Sequence, residues 1–138
     1  MTRKEDDRPR VLLIVAGFLF AATVIALTVG VSVLYPNPLM DRLWRLNPDG
    51  AVAFHSLGRF SGLFLLALGV GTFLSAHGLL RGQRWAWWFA VVLFAVNALG
   101  DLASFLAIHD ALRSVSGIVI SSIFLFFLTR LPVRRYFR

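Results

Sequence analysis

Between Phe60 and Leu80 the chain runs for 21 residues without a formal charge, turns at Arg81-Gly82-Gln83-Arg84, and stays apolar again from Trp85 as far as Asn97 and Asp101. At 1.5 Å of rise per residue, such a run makes a helix of roughly 30 Å, the thickness of bilayer hydrocarbon. Peptide groups at that depth find no water, so each run must satisfy its own hydrogen bonds as a helix. The short turn then makes the two runs antiparallel neighbours. The second run differs from the first in carrying an amide and an acid before its helix could have left the lipid. A carboxylate there is costly unless it is paired or protonated, so Asp101 is the residue that most needs a structural reason.

The rest of the composition agrees. Of 138 residues, 58% are hydrophobic and only 15% charged, too apolar a balance for a soluble domain of this size. The net charge of +7, from 14 Lys and Arg against 7 Asp and Glu, does not indicate nucleic acid, because the basic residues sit at the ends of apolar runs. With no cysteine, disulfide exchange, thiolate metal sites and cysteine nucleophiles are all excluded.

The expected fold is all-α: a four-transmembrane-helix bundle in one membrane domain, residues 11–131, flanked by a disordered cytoplasmic tail at 1–10 and a basic cytoplasmic tail at 132–138. The apolar run Val11 to Leu34 is longer than a cleavable signal core, so it reads as a first span over 11–34. Tyr35-Pro36-Asn37-Pro38 stops that helix, and Asn37 as cap with Pro38 behind it starts a short interfacial helix over 38–46 in the first outer loop. Leu39, Met40, Leu43, Trp44 and Leu46 fall largely on one side of it, with Asp41, Arg42 and Arg45 opposite. Asn47-Pro48-Asp49-Gly50 turns the chain into a second span over 52–80, lined by Gly58, Gly62, Ala67, Gly71 and Ser75, a spacing that lets membrane helices approach closely. A third span covers 85–108 and a fourth 111–130, with Asp110 as cap of the fourth. The tail from Pro132 is basic and aromatic, suited to anionic headgroups.

Orientation follows from Lys and Arg. Ten lie in the N-terminal tail, the central turn and the C-terminal end, against Arg42, Arg45, Arg59 and Arg113 at the other ends of the spans. The positive-inside rule then puts both termini in the cytoplasm, in a multi-pass protein of the cell inner membrane.

Asn97, Asp101 and Ser104 recur at i, i+4, i+7 and share one helix face, which must point inward. By helical rise, Arg59 lies roughly 7 Å further toward the outer surface than Asp101, within reach of a long side chain. His55, at i−4 from Arg59, together with His109, Asp110 and Arg113 completes an expected polar cluster in the outer half of the bundle. The spacing of these histidines and acids matches no metal-ligand pattern, and no cofactor is expected. Trp85, Trp87 and Trp88 read as an interfacial aromatic belt beside Arg84.

These features favour a small integral membrane protein of structural or partner-binding role, its partners being membrane lipids and a second copy of the chain or another membrane protein. Two other readings stay open: a binding protein or enzyme for a lipid or other apolar ligand, using the cluster around Asp101, and a subunit of an oligomeric transporter or channel.

Overall fold

The computed structural model describes residues 9–45, 48–108 and 111–137, apart from the side chains at 43, 49, 50, 53, 54, 104, 107, 108 and 111–113. Most of the expected N-terminal tail, residues Leu46 and Asn47, and the pair His109-Asp110 therefore lie outside the described residues.

Every regular element among the described residues is an α-helix: α1 (Arg10–Leu34), α2 (Pro38–Trp44), α3 (Pro48–Ser56), α4 (Arg59–Leu80), α5 (Arg84–Ile108), α6 (Ala111–Thr129) and α7 (Leu131–Tyr136). Three stretches, Arg10–Leu34, Arg59–Leu80 and Arg84–Ala103, are long and apolar enough to cross a membrane. The stretch Ser114–Thr129 of α6 is apolar but shorter. The described chain divides into two compact units, Phe18–Leu74 and the segments on either side of it.

Within Phe18–Leu74, α1 and α4 run antiparallel, and glycine sets how closely they meet. A Cβ on Gly62 would stand 2.8 Å from Leu34 Cγ and 3.1 Å from the Gly30 carbonyl oxygen, and one on Gly69 would stand 2.7 Å from Leu27 Cδ2. Further along the same seam Thr23 and Thr72 meet at 2.9 Å between hydroxyls. Each hydroxyl can also donate to its own helix, Thr23 to the Leu19 carbonyl at 2.8 Å and Thr72 to that of Gly69 at 2.9 Å. With one proton apiece, the pair makes two of these three bonds at a time, so no hydroxyl faces the apolar surroundings unsatisfied. Phe20 and Phe73 close this part of the seam edge to face, 5.7 Å between centroids.

The small-residue face thus differs from the spacing read in the sequence. Gly62 takes part, but Gly69 and Thr72 continue the seam, while Ala67 is exposed and Gly58 has nothing within 4 Å of a built Cβ. Gly58 has another task. Its φ of +63° is a left-handed conformation that ends α3, so the expected second span over 52–80 is two helices, and only α4 is a long apolar one. The short helix expected over 38–46 is α2, ending at Trp44 and capped as expected: the Asn37 side-chain oxygen accepts the Leu39 N–H at 3.1 Å, and the Asn37 carbonyl accepts that of Asp41 at 2.9 Å.

In the other unit, α4 ends at the predicted turn. Gly82, at φ +68°, lets its own N–H reach the Leu79 carbonyl at 3.1 Å and the Gln83 N–H reach that of Gly78 at 2.9 Å, the double bond pattern of a Schellman stop. The chain returns directly as α5, with the Ser75 hydroxyl donating to the Ala86 carbonyl at 3.1 Å and Ala76, Leu79, Ala86 and Ala90 fully buried. α5 and α6 pair antiparallel in even register: Trp87 donates its indole N–H to the Leu128 carbonyl at 2.9 Å, Phe94 meets Phe124 at 5.0 Å, and Asn97 and Asp101 stand opposite Ser121 and Gly117.

Residues 131–136, expected within or beside a basic tail, form helix α7 instead. Arg130 is extended, Pro132 sits in the first turn where its missing N–H costs nothing, and Val133 and Phe137 are buried one turn apart. Tyr136 lies over Gly82, where a Cβ would stand 3.1 Å from its ring, so the C-terminal segment is folded back on the α4–α5 turn.

Candidate functional site

The α5–α6 seam holds two of the residues singled out in the sequence. Asn97 and Asp101 are one helical turn apart on α5, and both face α6 through residues also one turn apart, Ser121 and Gly117. The Asn97 amide donates to the Ser121 hydroxyl at 3.5 Å, the long limit for such a bond. Asp101 is half-buried, and its carboxylate occupies the space directly over Gly117, so that a methyl group there would overlap the carboxylate carbon and oxygen. The atoms nearest to that space are thus those of a side chain. Ser114, one turn before Gly117, and Ser121, one turn after it, are both buried.

The amide and the acid are treated differently by their surroundings. Asn97 is exposed on α5 near Gly100, where a built Cβ would meet nothing within 4 Å. Beyond the long bond to Ser121, the amide oxygen and second N–H have no partner among the described residues. The Asp101 carboxylate likewise has neither a hydrogen bond nor an ion pair among them. No group of three His, Cys, Asp or Glu residues that could hold a metal occurs among the described residues.

The other predicted members are placed as follows. His55 is exposed near the end of α3, its ring 5.5 Å from that of Trp44, so aromatic packing supplies its contact. Arg59 is exposed at the start of α4. The break at Gly58 puts these two on different helices, which removes the i, i+4 relation expected from an unbroken span. Ser104 and Arg113 lie on α5 and α6 with side chains outside the described set, and His109 and Asp110 lie outside the described residues. Gly117 and Ser121, which complete the seam, were not picked out in the sequence. Their spacing from Ser114, three and seven residues, is the signal: small residues recurring on one face of an apolar helix opposite an acid.

No protein-family pattern matches the chain, and no curated protein or solved structure is significantly similar to it.

The seam can do two things chemically. It sets the register of α5 against α6, because the carboxylate fits over only a residue without a side chain. It also leaves a carboxamide with spare donor and acceptor capacity at the exposed edge of that seam.

Proposed function

We propose that this chain is a four-span protein of the cytoplasmic membrane, with α1, α4, α5 and α6 crossing and both termini in the cytoplasm, and that it works by helix-to-helix association with a second copy of itself through the Asn97 face of α5. The exposed Asn97 amide carries this reading. Asn97 lies about 20 Å along α5 from Arg84, well inside the hydrocarbon by helical rise. At the exposed edge of the α5–α6 seam, an amide whose oxygen and second N–H are left over is unfavourable in lipid until a second helix supplies partners, and an asparagine is its own complement, donating and accepting at once. Gly100, one turn away with open space around it, allows a second backbone to come close. The ten-to-four distribution of basic residues supports the orientation.

The test is oligomeric state in a bilayer mimetic that retains lipid. The parent is expected to be a dimer by native mass spectrometry from mild detergent or nanodiscs. Asn97→Leu, which keeps volume and lipid compatibility, is expected to be a monomer of unchanged thermal stability. A parent that is monomeric at all concentrations, or a variant that dimerises equally well, would refute self-association. Reporter fusions at Met1 and Arg138 test orientation separately, and a periplasm-only reporter active at either end rules out the four-span arrangement.

A further inference from the structure

At the end of α5 remote from Asn97, the folded-back C-terminal helix creates a cleft of about 200 Å³, lined by Arg84, Trp87, Trp88, Arg134 and Phe137. That is several times the ~30 Å³ a water molecule occupies in the liquid, so the space suits a chemical group and not merely solvent. We infer that this cleft binds the phosphate of an anionic ligand, and that in the membrane the ligand is an anionic phospholipid headgroup.

The lining is built for an anion. Two arginines line it from different helices, Arg84 at the start of α5 and Arg134 on α7, and no acidic residue does. Neither arginine is paired with an acid among the described residues. Arg84 is held in place by its Nε–H, which donates to the Phe137 carbonyl at 2.7 Å. Four further N–H groups of that guanidinium remain, in the planar fork that matches phosphate oxygens two at a time. The long helix α5 begins at Arg84, so the positive end of its dipole lies at the same level.

The walls are rigid and aromatic. Trp87 is fixed by its indole bond to the Leu128 carbonyl, Phe137 is buried behind it with ring centroids 6.4 Å apart, and Trp88 packs edge-on against Trp87 at 4.9 Å. Trp88 and neighbouring Trp85 are at least half exposed, which gives an amphipathic surface beside the charge. A free phosphate ion would use only the arginines. A phospholipid would use both, its phosphate between Arg84 and Arg134 and its glycerol and upper acyl chains along the exposed indoles, the layer that tryptophan prefers at a membrane surface. The cleft exists only because α7 docks, so the basic C-terminal segment acts as a shaped part of the site and not as a diffuse patch. This inference shares the membrane topology proposed above but does not need self-association.

Full-length protein in phosphatidylcholine nanodiscs is compared with protein in equal parts phosphatidylcholine and phosphatidylglycerol, following melting temperature and tryptophan emission; a third arm adds inorganic phosphate to the phosphatidylcholine sample. Phosphatidylglycerol is expected to raise the melting temperature of the parent and shift its emission. Arg134→Gln should weaken that response about tenfold, the scale of one charge-assisted bidentate contact. Arg135→Gln removes the same charge from the next residue, outside the lining, and should leave the response nearly intact. Arg84→Lys keeps the charge but loses the fork and should fall between the two. An equal loss in Arg134→Gln and Arg135→Gln would mean only diffuse attraction to an anionic surface and would overturn the site. So would no response to either ligand. A response to inorganic phosphate that saturates and depends on Arg134, with none to phosphatidylglycerol, would keep the phosphate cleft and overturn the lipid as its occupant. None of these readouts requires a dimer, so a monomeric parent would remove the self-association reading and leave this one standing.

Discussion

Two helix pairs in this protein are each built around a glycine, and for opposite reasons. In the α1–α4 pair, Gly62 is needed because backbone meets backbone: the Gly30 carbonyl and the Leu34 side chain occupy the space a Cβ would take. In the α5–α6 pair, Gly117 is needed because a side chain has taken that space, the Asp101 carboxylate. The first seam is closed. Its hydroxyls, Thr23 and Thr72, lie 2.8–2.9 Å from each other and from carbonyls of their own helices, and their two protons make two of these three bonds at a time. The second is open, with an amide held by one 3.5 Å bond and a carboxylate without a partner among the described residues. The closed seam is what a structural contact between membrane helices looks like, whereas the open one has bonding capacity left for something else.

The largest effect should come from breaking the closed seam. Gly62→Leu forces a branched side chain into Leu34 and the Gly30 backbone, and is expected to lower stability by about 3 kcal/mol, the upper end for overpacking. Thermal unfolding in detergent measures it, and an unchanged melting temperature would mean that α1 and α4 do not meet at Gly62.

Next comes a pair of double-mutant cycles that separates the two glycines. Gly117→Ala should cost about 2 kcal/mol in the parent, because the carboxylate must be displaced from its place over α6. In an Asp101→Ala background the same change should cost almost nothing. For Gly62→Ala, removing the neighbouring side chain by Leu34→Ala should rescue only part of the loss, since the Gly30 carbonyl oxygen remains 3.1 Å from the new Cβ. Equal rescue in both cycles would erase the distinction between a backbone contact and a side-chain contact.

The smallest effect expected is Thr72→Val, which removes the hydroxyl bond across the closed seam while keeping shape. Interhelical hydrogen bonds of this kind average about 0.6 kcal/mol, and Thr23 can still donate to the Leu19 carbonyl. A loss several times larger would show that the threonine pair, and not the glycines, holds α1 against α4.

Much of this is legible in the sequence. The long uncharged runs require helices, the Arg81–Arg84 turn requires a hairpin, and Asn37 followed by Pro38 announces a helix start, all because backbone hydrogen bonding and cap chemistry act over a few residues. The i, i+4 spacing of Asn97 and Asp101 also predicted a shared face, and both face α6. The spacing of Gly58 suggests part of a packing stripe, because a glycine at helical spacing looks the same whether it permits close approach or a left-handed turn. Helix α7 looks like part of a tail in the sequence, because six residues carry too little periodicity to reveal that Val133 and Phe137 are buried.

The sequence by itself thus determined the long apolar helices, their ends at proline, asparagine and glycine, and the sign of charge at each end, since these depend on local backbone chemistry and on the solvent each segment can tolerate. Only the tertiary structure decided which glycine faces which neighbour, that Asp101 rests over Gly117, and that Arg84 and Arg134, 50 positions apart, share one cleft. Those facts depend on how helices are rotated and shifted against one another. A one-residue rotation turns a side chain through about 100° at no local cost, so only the mutual fit of the packed faces selects among the choices.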